Sequence, residues 1–399
     1  MPQFGRVLLS AALGAASCNA VNLYAATSDG NLTSLSLTLA DSGNNLAVSS
    51  KTACGANASW LTLDSGARVL YCLDRGSSSS TNGSLNSYSV AADGLLTSID
   101  SATAPLSGVS HHVFTNNAGK SGIATASYNK SAVSVIPIGE SGALDEPLQI
   151  INPTLEVTGP VALRQDRSYM HQVLLDPESK YLVMNDLGGD RARVYEWDAE
   201  NLAPVTELEP LRTDAGSGPR HGVFWKPATS DDLYYFVVGE LSQYVYSYKI
   251  AYTDAGLTWE KVFEIPALGV ENEVPALTSP LSEIALSPDN KFLIISHRDV
   301  SFANSTKRAF GPSDTLSTFT IKDDGTLELL QLAPSGGWSP RHFALNKAGD
   351  LLAVGHQNNN TVVIWARDLE TGKIVTAEEG GPAAIVTLSG AVVCTIWDE

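Results

Sequence analysis

The chain has 399 residues, of which 43% are hydrophobic and 17% are charged, a composition typical of a folded globular protein. Its formal net charge of −18 argues against nucleic-acid binding, because no basic surface is available to displace counterions from phosphates. After the N-terminal segment, no stretch approaches the ~18 apolar residues of a membrane helix, so we expect no membrane association.

The first twenty residues have the pattern of a secretory signal peptide. Arg6 supplies a positive charge, residues 7–16 are apolar and small, and Ala20 suits the cleavage position. We therefore expect residues 21–399 to form the mature, secreted protein. A bacterial lipobox ending at Cys18 is the alternative, although Ala15 stands where a large aliphatic residue is preferred.

The glycosylation sequons and the cysteines are consistent with secretion of the protein. Sequons occur at six asparagines: Asn31, Asn57, Asn82, Asn129, Asn304 and Asn359. Without the signal peptide the cysteines are Cys54, Cys72 and Cys394. An oxidising compartment favours one disulfide, and Cys54–Cys72 closes the shorter loop; three unpaired core cysteines are the alternative.

A pattern of roughly 50 to 60 residues recurs along the chain: an apolar strand, a tight turn and a second apolar strand. Residues 171–186 and 282–297 show it clearly, with turns of Asp-Pro-Glu-Ser and Ser-Pro-Asp-Asn. A third strand usually follows, as at residues 191–197 and 361–365. The six copies begin near Ser59, His111, His171, His221, Ser282 and Arg341.

The two chain ends supply a seventh copy. Residues 384–388 and 392–397 read as strands, and so do residues 22–27 and 33–38. A blade built from both ends would close a ring and remove free sheet edges. No segment shows a helical period, so we predict an all-β fold: one seven-bladed β-propeller domain over residues 21–399. A solenoid is the alternative, but capping repeats are not evident.

The histidines fall at one end of the predicted blades. In an antiparallel hairpin, the start of the first strand lies beside the end of the second. The polar residues at these positions, or next to them, are His111, His112, Tyr128, His171, Asn185, Asp186, Arg220, His221, Glu240, His297, Arg298, Arg341, His342, His356 and Gln357. Polar corner residues can simply tie neighbouring blades together, but such ties tend to repeat one residue type. The variety at equivalent positions favours a shaped binding site.

The residue types on this rim limit which metals, cofactors and catalytic mechanisms the site could use. Several histidines could hold zinc or copper, but the intermixed arginines would repel a metal ion. Neither a Gly-x-Ser-x-Gly elbow nor a phosphate-cradling glycine loop is present. We therefore expect no metal and no cofactor.

Several segments resemble the lactonase-type seven-bladed propellers, a family that includes bacterial 6-phosphogluconolactonase and fungal 3-carboxy-cis,cis-muconate cyclase. They are residues 171–190, the Gly-Pro-Arg-His of residues 218–221, the Glu-Leu-Ser of residues 240–242, and residues 126–135 and 337–342. The resemblance implies a site of His171, Arg220, Glu240 and Arg298. Since muconate and phosphogluconate are metabolised inside cells, export implies a different substrate for this chain.

Three functions follow from these residues. The first is a lyase that breaks a C–O bond beside a carboxylate, acting on a small anionic or uronate-containing carbohydrate: arginines stabilise an enolate-like intermediate and a histidine moves the α-proton. The second is an extracellular lactonase for sugar lactones. The third is a non-catalytic ligand-binding propeller or surface antigen. We expect a monomer, since a closed ring needs no partner.

The expected roles divide the rim into two groups. The catalytic candidates are His171, Arg220, Glu240 and His112, the last being a rival to His171 as the base. The substrate-binding candidates are Arg298, His221, Arg341, His342, Gln357, Tyr128 and His297.

Overall fold

The computed structural model describes residues 20–40, 43–272, 276–277, 280–298, 313–376 and 381–399. Apart from Ala20, the expected signal peptide lies outside these ranges, and so does Asn304. Within them, 29 strands form seven antiparallel sheets, joined by loops and two short 3₁₀ turns at Glu140–Gly142 and Val270–Asn272. Among these residues no helix has the length and hydropathy needed to span a membrane.

Each sheet is one blade of the predicted seven-bladed propeller. Six blades are built from consecutive strands. Blade 1 contains β4 (Ala58–Asp64), β5 (Val69–Asp74), β6 (Gly83–Val90) and β7 (Leu96–Ala104); blade 2 contains β8 (Gly108–Thr115), β9 (Ser121–Ser127), β10 (Ala132–Ile138) and β11 (Gln149–Ile151); blade 3 contains β12 (Met170–Leu175), β13 (Leu182–Asp186), β14 (Arg191–Trp197), β15 (Val205–Glu207) and β16 (Leu211–Arg212). Blade 4 contains β17 (Pro219–Trp225), β18 (Leu233–Gly239), β19 (Tyr244–Thr253) and β20 (Gly256–Pro266); blade 5 contains β21 (Leu281–Leu286), β22 (Phe292–His297), β23 (Thr315–Ile321) and β24 (Leu327–Pro334); blade 6 contains β25 (Pro340–Leu345), β26 (Leu351–His356), β27 (Thr361–Ala366) and β28 (Ala384–Thr387).

Blade 7 joins the two ends of the chain, as predicted, but with a different division of strands. Its order is β29 (Val392–Trp397), β1 (Val21–Thr27), β2 (Asn31–Thr38) and β3 (Asn45–Ala53). One C-terminal strand therefore joins three N-terminal strands, rather than two joining two. The strand at residues 384–387 instead pairs with β27 as the outer strand of blade 6.

The first strand of every blade lies at the centre of the ring. β4, β8, β12, β17, β21, β25 and β29 each contact the next in that order, and β29 contacts β4. The six predicted repeat starts therefore mark the central strands, and β29 supplies the seventh.

The hydrophobic core is divided among the blade interfaces. Seven hydrophobic clusters among the described residues each span two neighbouring blades. Successive side chains of a strand point to opposite faces, so a buried strand serves two clusters. In β13, Leu182 and Met184 pack against blade 2, whereas Val183 packs against blade 4. Each blade is thus held by both neighbours, which fixes the positions of the central strands.

Cys54 and Cys72 form a disulfide between the loop before β4 and strand β5, as the shorter-loop pairing predicted. Cys394 on β29 is a buried free thiol.

Candidate active site

A β-bulge interrupts the pairing of the first two strands in every blade. On each central strand one extra residue is inserted near the start, and such bulges bend a strand and redirect a side chain. In blade 3, Met170 pairs with Asp186 and Gln172 pairs with Asn185, which leaves His171 between them. The residues at this bulge position are Ser59, Val109, His171, Arg220, Ser282, Arg341 and Val393.

The second strand of each blade ends on the same face. The residues that directly follow it are Ser28, Arg75, Tyr128, Leu187, Glu240, Arg298 and Gln357. Members of this ring and of the bulge ring together line a cavity of about 250 Å³. Its lining residues are Arg75, Val109, Tyr128, Arg164, His171, Glu240, Arg298 and Arg341.

Five of the eight lining residues are among the sequence candidates: Tyr128, His171, Glu240, Arg298 and Arg341. Sequence analysis missed Arg75, Val109 and Arg164. Arg75 follows β5 as Tyr128 follows β9, so comparing all second-strand ends would have found it. Arg164 lies in the long loop before β12, where no repeat marks its position.

Glu240 is the counter-ion of three arginines. Its Oε1 lies 2.5 Å from Arg164 Nη2, and its Oε2 lies 2.9 Å from Arg220 Nε and 3.0 Å from Arg298 Nη2. Burial would raise the pKa of Glu240, but these arginines outweigh it and lower the pKa to about 2. Glu240 is therefore ionised at neutral pH and holds the guanidinium groups in fixed positions.

Two arginines of the cavity remain without such a counter-ion. Among the described residues, the guanidinium groups of Arg75 and Arg341 have no hydrogen-bond or ion-pair partner. Burial lowers the pKa of Arg341, and Arg220 and Arg298 lower it further. The eight lining residues include four arginines and one glutamate, so the lining has a formal charge of +3 in a chain whose net charge is −18. Such a cavity can bind an anion.

Three more candidates lie directly behind the cavity. Arg220 reaches Glu240 and donates from Nη1 to the backbone oxygen of Ser282 at 2.6 Å. His221 Nε2 lies 3.1 Å from His171 Nδ1. His342 Nε2 lies 3.6 Å from a carboxylate that sequence analysis did not identify, Glu283 Oε2.

Other rim residues make structural contacts outside the cavity lining. His297 Nε2 is 2.9 Å from Ser317 Oγ, and Gln357 Oε1 accepts a hydrogen bond from Ser339 Oγ at 3.3 Å. Asp186 accepts backbone hydrogen bonds from Tyr169 and Gly189. The remaining four are His111 and His112, both on β8, Asn185, which donates to Gln172 Oε1 at 3.1 Å, and His356, which is 3.1 Å from Ser335 Oγ.

Local sequence explains how the loop before blade 4 presents Arg220. Gly218 has a φ of +60°, and a Cβ atom there would lie 2.5 Å from the Leu241 side chain. Only glycine fits this left-handed turn without strain. Pro219 then begins β17, and the next residue, Arg220, has its Nε 2.9 Å from Glu240 Oε2.

Two further observations limit the chemistry of the described residues. A larger cavity of about 730 Å³ on blades 2 and 3 has Lys120 as its one ionisable lining residue, so it offers no acid–base pair. No group of three or more histidine, cysteine, aspartate or glutamate residues within the described ranges is placed to hold a metal ion.

Fold and site together define a seven-bladed propeller with an arginine-rich, histidine-containing cavity at one end of its central axis. Residues 22–386 match the profile of the family described as "Lactonase, 7-bladed beta-propeller". The chain belongs to this family.

Comparisons with individual proteins agree with this family assignment. The chain is 31% identical over 320 residues to a probable 6-phosphogluconolactonase of Arthroderma benhamiae, covering 79% of this chain and 75% of the relative. It is 29% identical to a 6-phosphogluconolactonase of Formosa agariphila, covering 66% and 68%. The crystal structure of a putative 6-phosphogluconolactonase from Bacteroides fragilis superposes with a TM-score of 0.74 at 21% identity, covering 96% of this chain and 99% of that one.

The names of these relatives help to choose among the three functions predicted from the sequence. They favour the lactonase over the C–O lyase that sequence analysis placed first, and no comparison supports the lyase. They also fit a small carbohydrate ligand.

Proposed function

We propose that the chain is a lactone hydrolase acting on a sugar lactone that carries an anionic group. The observation that carries this proposal is the cavity of about 250 Å³, where His171 lies among four arginines and only one carboxylate. Such a lining provides a base for water and cations for negative charge.

Lactone hydrolysis assigns roles to these side chains. His171 takes a proton from the attacking water, and the water oxygen bonds to the lactone carbonyl carbon. The carbonyl oxygen becomes negative, and an arginine of the lining stabilises it. The ring C–O bond then breaks and the ring oxygen takes back the proton, giving a hydroxy acid.

Arg75 and Arg341 are the reason that we expect the substrate to carry an anionic group. Neither guanidinium pairs with a described residue, so each can pair with a phosphate or carboxylate of the ligand. Glu240 cannot serve as a proton donor at neutral pH, because the arginines keep it ionised. Its role is to position Arg164, Arg220 and Arg298.

The test measures acid release from gluconolactone, 6-phosphogluconolactone and a carboxylated sugar lactone. We expect kcat/KM to be at least about tenfold higher for the anionic lactones than for the neutral one, because a charge-assisted hydrogen bond contributes ~1.5–3 kcal/mol. Arg341→Met should remove most of this preference. Arg167→Met is the matched control, since Arg167 is exposed and pairs with Asp166 outside the cavity.

The rival functions give different results. A lyase would produce the ultraviolet absorbance of an unsaturated uronate from acidic glycans without acid release from lactones. A non-catalytic propeller would bind an anionic sugar but release no acid. Either result would overturn the proposal.

A further inference from the structure

Three buried side chains run from the cavity into the protein. His171 Nδ1 lies 3.1 Å from His221 Nε2, and His221 Nδ1 lies 2.8 Å from Glu283 Oε1. They stand near the starts of three successive central strands, β12, β17 and β21, and each is at most 5% exposed. Only His171 lines the cavity.

We propose that Glu283, His221 and His171 form a proton relay, in which His171 acts as the base and Glu283 holds the proton. This inference rests on the proposed lactone hydrolysis. Glu283 and His221 are positioning residues, since they act through His171.

The hydrogen-bond directions follow from the carboxylate. An ionised Glu283 only accepts, so His221 donates to it from Nδ1. His221 Nε2 then carries a lone pair and accepts from Nδ1–H of His171. This leaves a lone pair on His171 Nε2, which is the only ring nitrogen of the three groups not used within the relay.

One proton moves through the relay and returns. The O–H bond of water breaks and its proton bonds to His171 Nε2, while His171 passes its Nδ1 proton to His221 Nε2. His221 passes its Nδ1 proton to Glu283, which becomes a neutral acid. When the ring C–O bond breaks, the reverse transfers deliver a proton to the ring oxygen, so the three groups end as they began.

Burial, together with the neighbouring arginines, explains why a relay is needed. Burial lowers the pKa of His171 well below its usual value, and Arg220, His221 and Arg341 lower it further. An imidazolium is therefore unfavourable beside this cavity, whereas burial raises the pKa of Glu283. Moving the proton to Glu283 leaves all three groups neutral.

The surroundings of Glu283 hold it in place. The Ile284 backbone donates to Glu283 Oε1 at 3.2 Å, and His342 Nε2 lies 3.6 Å from Oε2. The Thr395 backbone donates to His342 Nδ1 at 3.3 Å, so the proton of a neutral His342 is on Nε2 and faces Glu283. The other charged or titratable groups that act on Glu283 are Arg220 and Arg341, which favour its ionised form, and the buried Cys394 interacts with it electrostatically.

The first test is Glu283→Gln, which keeps the shape but cannot take up a proton. We expect kcat to fall ~100-fold or more, with KM unchanged within about twofold because Glu283 does not line the cavity. The acid limb of the kcat–pH profile should also disappear. Glu207→Gln is the matched control: Glu207 pairs with Arg193 in blade 3, away from the cavity, and should leave kcat unchanged.

The second test needs no variant. In the unmodified protein, ¹⁵N NMR should show Nδ1–H tautomers at His171 and His221 at high pH. As the pH falls, both should change together to Nε2–H tautomers without forming imidazolium, because the three groups titrate as one unit.

The outcomes are distinguishable. A relay is overturned if Glu283→Gln keeps the kcat and the acid limb of the unmodified protein, or if His171 titrates to an imidazolium. If no lactone is hydrolysed, the proposed function fails, while the NMR titration still decides whether the relay exists. If the Glu283→Gln variant does not fold, the NMR titration of the unmodified protein still decides whether the relay exists.

Discussion

At the scale of single residues, Glu240 stabilises the fold as well as the site. Its pKa of about 2 lies below the ordinary value of 4.5 because three arginines surround it. The stabilisation is therefore present above about pH 4.5 and is lost as the pH falls through about 2. At neutral pH it corresponds to about 3 kcal/mol.

Glu240→Gln should therefore lower the free energy of unfolding at pH 7 by about 3 kcal/mol, measured by urea denaturation. The control is Glu207→Gln, since the Glu207 side chain is 33% exposed and should lose less. Equal stability of Glu240→Gln and the unmodified protein would show that the arginines do not need this counter-ion.

His111 is a buried histidine that destabilises the folded protein in acid. Neither ring nitrogen has a hydrogen-bond partner among the described residues, and burial, with a smaller effect of His112, lowers its pKa to about 3. Below pH 6.5 the unfolded chain binds a proton here that the folded protein does not bind until about pH 3. Stability therefore falls as the pH falls through this interval.

His111→Leu should remove this penalty. Relative to the unmodified protein, we expect a gain of about 2 kcal/mol at pH 5, larger than any change at pH 7, from urea denaturation at both pH values. His297→Leu is the contrasting variant: it breaks the hydrogen bond to Ser317 and should lose stability at pH 7. A pH-independent effect of His111→Leu would contradict the argument.

At the scale of elements, ring closure involves side chains as well as the β29–β1 pairing. Asp398, just after β29, lies 2.5 Å from Arg68 Nη1 in the β4–β5 hairpin. It also accepts a hydrogen bond from Tyr24 Oη on β1 at 3.1 Å. These contacts join the C-terminus to the first strand and to blade 1.

Asp398→Asn should weaken this closure by only about 1 kcal/mol, because Arg68 is 38% exposed and water screens the pair. The melting temperature should fall slightly, the difference should shrink at high salt, and lactone hydrolysis should not change. Lys226→Met, at an ion pair with Asp231 in which the lysine is 56% exposed, should have no effect. A loss that is independent of salt would point to the Tyr24 hydrogen bond instead.

The sequence predicted the central hairpins better than the outer strands. Hairpins such as β12–β13 are continuous apolar runs with a turn between them, because both faces are buried. Outer strands are half exposed: β3 alternates irregularly between buried and exposed residues, so its pattern gave no strand signal. Residues 384–387 were assigned to the wrong blade for the same reason, since β28 has only four residues and partly exposed side chains.

In the candidate site, too, some features could be predicted from the sequence and others could not. His171 and Arg341 could be predicted because each lies at the start of the first strand of a repeat, and Glu240 and Arg298 because each follows the second strand of a repeat. The contacts of Glu283 could not, since they depend on which side chains meet across three blades. Its position, next to the bulge of β21, is visible only once the strand pairing is known.

At the scale of the whole molecule, the sequons are arranged unevenly. The five within the described residues all lie on the face that bears the cavity. Asn31 is the first residue of β2, the third strand of blade 7. Asn82, Asn129 and Asn359 lie between the second and third strands of blades 1, 2 and 6, respectively. Asn57 precedes β4 of blade 1 on the same face.

The five sites thus occupy four consecutive blades: 6, 7, 1 and 2. The corresponding loops of blades 3 and 4, residues 187–190 and 240–243, contain no sequon. His171 and Glu240 belong to these two blades. If the chain is exported, as we propose from its N-terminal segment, glycans would surround one side of the cavity and leave the other side open.

Expression in a glycosylating eukaryotic host tests this arrangement. Glycopeptide mapping should find sugar at Asn82, Asn129 and Asn359, whose side chains belong to exposed residues. Enzymatic removal of the glycans should leave kcat/KM unchanged, because substrate approaches over blades 3 and 4. Asn129→Gln, beside the cavity residue Tyr128, should remove one glycan and also leave kcat/KM unchanged. An unmodified secreted protein would contradict the first expectation, and a large rise in kcat/KM on deglycosylation would show that the sugars cover the cavity.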